Sequence, residues 1–152
     1  MIVVTGGTGL VGGHLLLDLI RKDQPVRALI RKGGNPQKVL AIWKHYGSNA
    51  ESLLRKVEWV PIDLTNKPEI SEILEGTDEL YHCAGKISFN PRDNKEMYRI
   101  NVEATSNIVN TCLEAGNIRL LHVSSIASIG KSDQELLAEE NGWPSKTNSF
   151  YS

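Results

Sequence analysis

Cysteine is scarce in this chain: there are two in 152 residues, Cys83 and Cys112, with no Cys-x-x-Cys and neither grouped with histidine. That pattern supplies no metal ligand set and no redox pair, so no metal is expected. It reads as two idle thiols in a reducing cytoplasm. Charge of one sign is not in excess either. The formal net charge is −1, which provides no broad positive field for nucleic acid or an acidic membrane. No apolar run approaches the ~18 residues of a membrane-crossing helix. No basic leader precedes the first apolar run, so no secretory signal is expected. Repeats and low-complexity stretches are missing. The full Gly-x-x-x-x-Gly-Lys-Ser/Thr pattern is missing as well: Gly130-Lys131-Ser132 has Ser125 where the leading glycine is needed, which removes the P-loop as a nucleotide site. A further absence is local: no Asp or Glu stands between Gln24 and Ala50.

What is there suffices for one domain with a hydrophobic core, since 40% of the residues are hydrophobic and 23% charged. Residues 1–4 are a short apolar run broken by Thr5-Gly6-Gly7-Thr8-Gly9, the pattern of a buried strand and its turn. A Leu-rich helix over 10–22 follows, ending in basic residues that suit its negative end. A second strand covers 26–30. After Gly33-Gly34-Asn35, Pro36 opens a helix to about Tyr46 with Val39, Leu40, Ile42 and Trp43 as its apolar stripe. Strands are expected at 57–62, 80–83 and 118–123, and a short helix at 67–75 stopped by Gly76. A long helix over 94–115 carries Tyr98, Val102, Thr105, Val109, Cys112 and Leu113 on one face and stops at Gly116. From Ser124 onward the chain is polar, with turn formers at Asn141-Gly142 and Pro144. Strict strand–helix alternation predicts an α/β fold, a doubly wound parallel sheet. In such a sheet, ligands bind at the carboxyl ends of the strands.

The glycine turn sits at one such end. Gly7-x-Gly9-x-x-Gly12 and Gly6-x-x-Gly9-x-x-Gly12 both fit a dinucleotide fingerprint. One glycine turns out of the strand, one lets the backbone approach a pyrophosphate, and Gly12 lets helix and sheet pack closely. The N-terminus of the following helix offers free N–H groups to the phosphates. The alternative is a glycine turn with no ligand. At the end of the second strand, an acid would bond the ribose 2′-hydroxyl of NAD(H). This chain has Arg31 and Lys32 there instead. Cations suit a 2′-phosphate, so NADP(H) is the expected cofactor and NAD(H) the alternative. Arg31 and Lys32 are otherwise solvated surface charges.

Five motifs together resemble the extended short-chain dehydrogenase/reductase family. They are Thr5-Gly6-Gly7-Thr8-Gly9-Leu10-Val11-Gly12, Asp63-Leu64, Tyr81-His82-Cys83-Ala84-Gly85, Asn101-Val102-Glu103-Ala104-Thr105 and Val123-Ser124-Ser125-Ile126-Ala127. Within that family the likeness is to the NAD(P)-dependent epimerase/dehydratase group and its dihydroflavonol-4-reductase-like branch. The resemblance spans essentially the whole chain and implies an NAD(P)-binding Rossmann domain. It implies that Asp63 bonds the adenine amino group, that Leu64 lies against that ring, and that Cys83, Ala84 and Gly85 run under the cofactor. Asn101 would hold the active-site helix and its water. Ser124 would lie beside the nicotinamide, and Ser125 would be the catalytic serine. Tyr151, 26 residues beyond Ser125, would be the catalytic tyrosine, its phenol handling the proton of a substrate oxygen. Each residue also has a plainer reading. Asp63 can cap a turn, Asn101 can be an ordinary polar helix residue, and the two serines can be loop formers. His82 is expected to be packed rather than a base.

The resemblance breaks at the tyrosine. The family pattern is Tyr-x-x-x-Lys, and the sequence ends at Ser152, before that lysine. The expectation is therefore an N-terminal cofactor domain without its substrate domain, inactive by itself. In the parent protein the implied activity is hydride transfer between NADP(H) and a secondary alcohol or ketone. The alternatives are a non-catalytic NAD(P)-binding module or redox sensor, and an NAD-dependent nucleotide-sugar epimerase or dehydratase. The expected partner is a small-molecule substrate, with no nucleic acid and no membrane; family members often pair through the long helix, which leaves a homodimer and a monomer as alternatives. The segment Lys86-Ile87-Ser88-Phe89-Asn90-Pro91 either touches substrate or merely connects.

Overall fold

The structure, a computed structural model, describes residues 1–47 and 49–129. Five parallel strands form one sheet: β1 (Ile2–Thr5), β2 (Val26–Arg31), β3 (Glu58–Ile62), β4 (Glu79–His82) and β5 (Arg119–His122). Their order across the sheet is β3-β2-β1-β4-β5. The first crossovers build outward from β1 to one side, and β4 then returns to its other side. The strand order reverses between β1 and β4, which pair from Ile2–Glu79 through Thr5–His82. A crevice opens at the carboxyl ends of strands flanking such a reversal. This is the α/β parallel sheet expected from the alternating pattern.

Strand residues alternate faces, so neighbours in β1 feed two different cores. Val4 packs with Leu16, Ile20, Ala28, Val39 and Trp43 on one side. Val3 packs with Leu29, Ile62, Ile70, Leu80 and Ile108 on the other. Helix α1 (Leu10–Arg21) covers the first side and buries Gly12, Gly13, Leu16, Leu17, Leu19 and Ile20. Each large apolar side chain so buried contributes about 1.5–3 kcal/mol.

The segment predicted as one helix from Pro36 is three short pieces. A 3-10 turn (Pro36–Val39) leads into α2 (Leu40–Trp43), and a second 3-10 turn (Lys44–Tyr46) follows. Asn35 caps the start, its side chain accepting from Gln37 N–H at 2.9 Å. The apolar stripe is as expected: Val39 and Trp43 are buried, and Leu40 and Ile42 pack against them. Trp43 donates its indole N–H to the Gly13 carbonyl at 2.7 Å. A Cβ on Gly13 would lie 2.8 Å from Ile42, so this glycine lets α2 sit against α1. A further short helix, α3 (Ala50–Leu54), was not foreseen. Helix α4 (Lys67–Ile73) precedes β4.

The long helix is α5 (Asn94–Tyr98), a π-helical stretch (Arg99–Ala104) and α6 (Thr105–Ala115), closed by Gly116 in the left-handed conformation. Its buried side differs from the expected face. Met97, Ala104, Ile108, Thr111 and Cys112 are buried, whereas Tyr98, Val102 and Leu113 are exposed. The helix packs on the sheet core through Ile108 and Cys112, so of the expected face Cys112 is inside and Tyr98, Val102 and Leu113 are not.

Candidate dinucleotide site

The glycine turn is built by close contacts. Gly6 has φ of +68°, in the region that favours glycine, and a Cβ there would lie 2.7 Å from Ala84 N and Cys83 C. The turn after β1 therefore lies directly against the end of β4. Gly9 N–H donates to the Gly6 carbonyl at 2.9 Å. A Cβ on Gly12 would lie 2.4 Å from that same carbonyl oxygen. Only glycine permits α1 to begin this close to the turn. Gly7 instead packs on Leu16, where a Cβ would lie 2.5 Å from Cδ1. Of the two sequence spacings, Gly6, Gly9 and Gly12 form the turn. Gly9 caps α1 without a side chain. First-turn N–H groups lack intrahelical acceptors, and that end of the helix is partly positive.

The crevice above these ends holds about 750 Å³, within the ~300–1,000 Å³ of ligand pockets. Gly6, Thr8, Gly9, Arg31, Lys32, Asp63, Leu64, Cys83, Ala84 and Gly85 line it, as do Lys86 from the segment singled out after the fourth strand and a group the sequence reading missed: Asn35, Lys38, Glu96 and Arg99. Lys38 arrives because Gly34 N–H donates to the Arg31 carbonyl at 2.8 Å, folding the chain back after β2. The Asn35-Pro36 cap followed by one helical turn was the available signal. Gly7, Leu10, Val11, Gly12, Asn101, Ser124 and Ser125 are not on this wall. Tyr151 and the turn at Asn141-Gly142 lie outside the described residues.

Asp63 follows β3 and is heavily bonded. Its Oδ1 accepts from Thr65 N at 2.9 Å and Thr65 Oγ1 at 2.7 Å. Its Oδ2 accepts from Arg99 Nη2 at 2.9 Å, and the same nitrogen donates to Thr65 Oγ1 at 2.7 Å. The Thr65 hydroxyl and N–H, with Arg99 adding its charge, hold the Asp63 carboxyl below its ordinary value. The acid thus stays ionised, with Oδ2 capacity left for a donor in the crevice. The turn-capping reading of Asp63 is also realised, through Thr65.

At the end of β4 a buried chain of hydrogen bonds sets the backbone. Ala84 N–H donates to Thr5 Oγ1 at 3.1 Å. The Thr5 hydroxyl also pairs with His82 Nδ1 at 2.7 Å, and His82 Nε2 pairs with Thr105 Oγ1 at 3.0 Å, so both ring nitrogens are hydrogen-bonded. Burial, with the stacked His122 ring adding to it, pushes the His82 pKa down to about 4. His82 is a neutral packed residue, as expected. Burial also pushes the Cys83 thiol up, so it is no ready thiolate.

Asn101 lies in the π-helical stretch and grips the chain after β4. Its Nδ2 donates to the Lys86 carbonyl and its Oδ1 accepts the Lys86 N–H, both at 2.8 Å. The Lys86 ammonium bonds Glu96 and lies 3.5 Å from Asp93. Beyond β5, Ser124 Oγ lies 3.1 Å from Ser128 Oγ, and Ser128 donates through N and Oγ to the Ser125 carbonyl at 2.9 and 2.6 Å. A 3-10 turn (Ile126–Ile129) follows. Among the described residues there is no cluster of three or more metal-ligating side chains. No helix there is long and apolar enough to cross a membrane.

These features fit a dinucleotide: a side-chain-free cradle, a helix N-terminus, an ionised acid and a basic corner share one crevice. They define the parallel α/β nucleotide-binding class. The family assignment follows from sequence. The profile of the NAD dependent epimerase/dehydratase family matches residues 2–152, and the chain belongs to that family. It is 33% identical over 138 residues to a putative dihydroflavonol 4-reductase of Synechocystis sp., covering 91% of this chain and 36% of the relative. It is 31% identical over 134 residues to sterol demethylase protein B of Methylococcus capsulatus, covering 87% and 36%. The chain thus spans little more than a third of these relatives. Among solved structures, the Bordetella bronchiseptica enzyme WbmG, in complex with NAD and UDP, shares the fold at a TM-score of 0.74. That match has 17% identity and covers 99% of this chain and 44% of WbmG. A short-chain dehydrogenase/reductase superfamily protein of Agrobacterium tumefaciens with bound NAD shares it at 0.70, with 24% identity over 99% and 40%.

Proposed function

We propose that this chain is the cofactor domain of an oxidoreductase that moves hydride between NADP(H) and a secondary alcohol or ketone. The observation carrying the cofactor choice is at the basic corner. Arg31 and Lys38 line the crevice and have no acidic partner among the described residues. Two uncompensated cations on one crevice wall favour a 2′-phosphate, whereas a 2′-hydroxyl would leave them as they are.

The dinucleotide supplies the hydride acceptor or donor. The rest is binding and placement by this chain. Gly9 and the first turn of α1 present N–H groups to the pyrophosphate, and Gly6 and Gly12 keep that turn in place. Asp63 accepts from the adenine amino group while Leu64 covers the ring. Ala84 and Gly85 give room beneath the nicotinamide half. Ser125 orients the substrate oxygen, and the Tyr151 phenol gives or takes its proton. A second reading, dinucleotide binding without turnover, is favoured by the position of Ser125 off the crevice wall. Turnover of alcohol or ketone substrates by the parent protein separates the two.

The test of the cofactor assignment is Arg31→Ala. Loss of a charge-assisted phosphate contact weakens NADPH binding by roughly tenfold, with NADH changed less than about twofold. Equal losses for both would remove the 2′-phosphate from this corner.

A further inference from the structure

Three cations line the crevice near the end of β2, and they are not equivalent. Lys32 Nζ lies 2.6 Å from Glu69 Oε1, whereas Arg31 and Lys38 have no acidic partner among the described residues. Glu69 is itself fixed. Asn66 Nδ2 donates to the same Oε1 at 2.8 Å, and Asp63 N–H reaches Oε2 at 3.3 Å. Glu69 is on the first turn of α4 and is not on the crevice wall, so it meets the crevice through Lys32.

We infer that Glu69 is a positioning residue that sets the ratio of NADPH to NADH affinity by holding the Lys32 ammonium away from the 2′-phosphate. The inference rests on the NADP(H) reading of that corner. A phosphate monoester carries about −1.5 to −2 charge and seeks several charge-assisted donors. Arg31 and Lys38 are free to serve as donors, but Lys32 must leave Glu69 or share itself with it. The Glu69 carboxylate also adds a like charge behind Lys32. Both effects oppose a 2′-phosphate, and neither acts on a 2′-hydroxyl. The crevice thus contains a third phosphate donor that is restrained, and the restraint is one side chain. An acid in the first turn of a helix also serves the helix terminus. Glutamine at that position keeps one acceptor oxygen, which can serve Asn66 or Asp63 N–H but not both, so Glu69→Gln removes the charge and gives up one local hydrogen bond.

The experiment is a titration of the purified protein with NADPH and with NADH, for wild type, Glu69→Gln, Lys32→Met and the double variant. Glu69→Gln is expected to tighten NADPH by about two- to fivefold, the range of an exposed ion pair, with NADH within twofold. In the Lys32→Met background the same change is expected to give no selective gain. Thermal unfolding without nucleotide reports any loss of fold in each variant. A Glu69→Gln variant that shifts both dinucleotides alike would overturn the inference and leave the cofactor reading standing. So would a gain that persists without Lys32. Wild type that binds neither dinucleotide would overturn both.

Discussion

Asn101 holds Lys86 by both ends of its amide, donating to the Lys86 carbonyl and accepting the Lys86 N–H at 2.8 Å each. The bond ties the π-helical stretch (Arg99–Ala104) to the chain leaving β4, just beyond Ala84 and Gly85. Asn101→Ala leaves two partly buried backbone groups without partners, which is expected to cost about 1–3 kcal/mol of stability. Asn101→Asp is expected to be at least as damaging, because a carboxylate oxygen would face the Lys86 carbonyl. Urea unfolding of the three proteins checks this, with equal midpoints as the contrary result.

The start of α1 depends on one missing methyl group. A Cβ on Gly12 would lie 2.4 Å from the Gly6 carbonyl oxygen and 2.8 Å from its carbon, both backbone atoms that cannot swing aside. Gly12→Ala is therefore expected to lower stability by about 1–3 kcal/mol and to weaken dinucleotide binding together with it. Gly33→Ala is the comparison: a Cβ there would meet nothing within 4 Å, so its penalty is confined to its φ of +75°. Thermal unfolding of both variants measures the difference, and equal losses would contradict the close-packing account.

His82 predicts a pH dependence with a definite sign. Its pKa is pushed down to about 4 in the fold from an ordinary 6.5. As pH falls from 6.5 toward 4, the unfolded chain takes up a proton that the folded chain refuses. Stability therefore falls across that window, by roughly 3 kcal/mol at most, and the contribution levels off below it. His82→Gln is expected to flatten the slope of unfolding free energy between pH 6.5 and 4.5. An unchanged slope would place the titration elsewhere.

Asp63 predicts a base-specific effect. If its carboxylate accepts from the adenine amino group, Asp63→Ala weakens an adenine dinucleotide by about tenfold. A hypoxanthine dinucleotide, with a carbonyl in place of the amino group, should lose far less on the same substitution. Fluorescence titration with the two nucleotides gives the comparison. Equal losses would mean that Asp63 serves only the turn through Thr65.

The fold was legible where local chemistry determined it. The glycine run after the first strand read as a turn, though its two spacings could be told apart only by the close contacts at Gly6 and Gly12, and the alternating pattern gave the parallel sheet. Gly6 against Ala84 is a contact between two motifs that were each expected at the carboxyl end of a strand. What could not be read was the set of partners brought together by the fold. Arg99 reaches Asp63 across the sheet end, and Glu69 restrains Lys32 from a different helix. Neither relation has a sequence spacing. The inner face of the long helix was misread in part: Ile108 and the expected Cys112 pack with the sheet residues and Ala104 and Thr111 are buried, while Tyr98, Val102 and Leu113 are exposed.

The central claim is that the crevice beside the glycine turn binds NADP(H). Gly9 lines that crevice, and a Cβ on it would have one near neighbour, the Gly6 carbonyl oxygen at 3.2 Å. Isothermal titration of NADPH into the protein and into its Gly9→Val variant is the most direct measurement. The account predicts saturable one-to-one binding for the first and a loss of at least about tenfold for the second, with NADH weaker than NADPH in the unaltered protein. Absence of binding, or NADPH affinity unchanged by Gly9→Val, would contradict it.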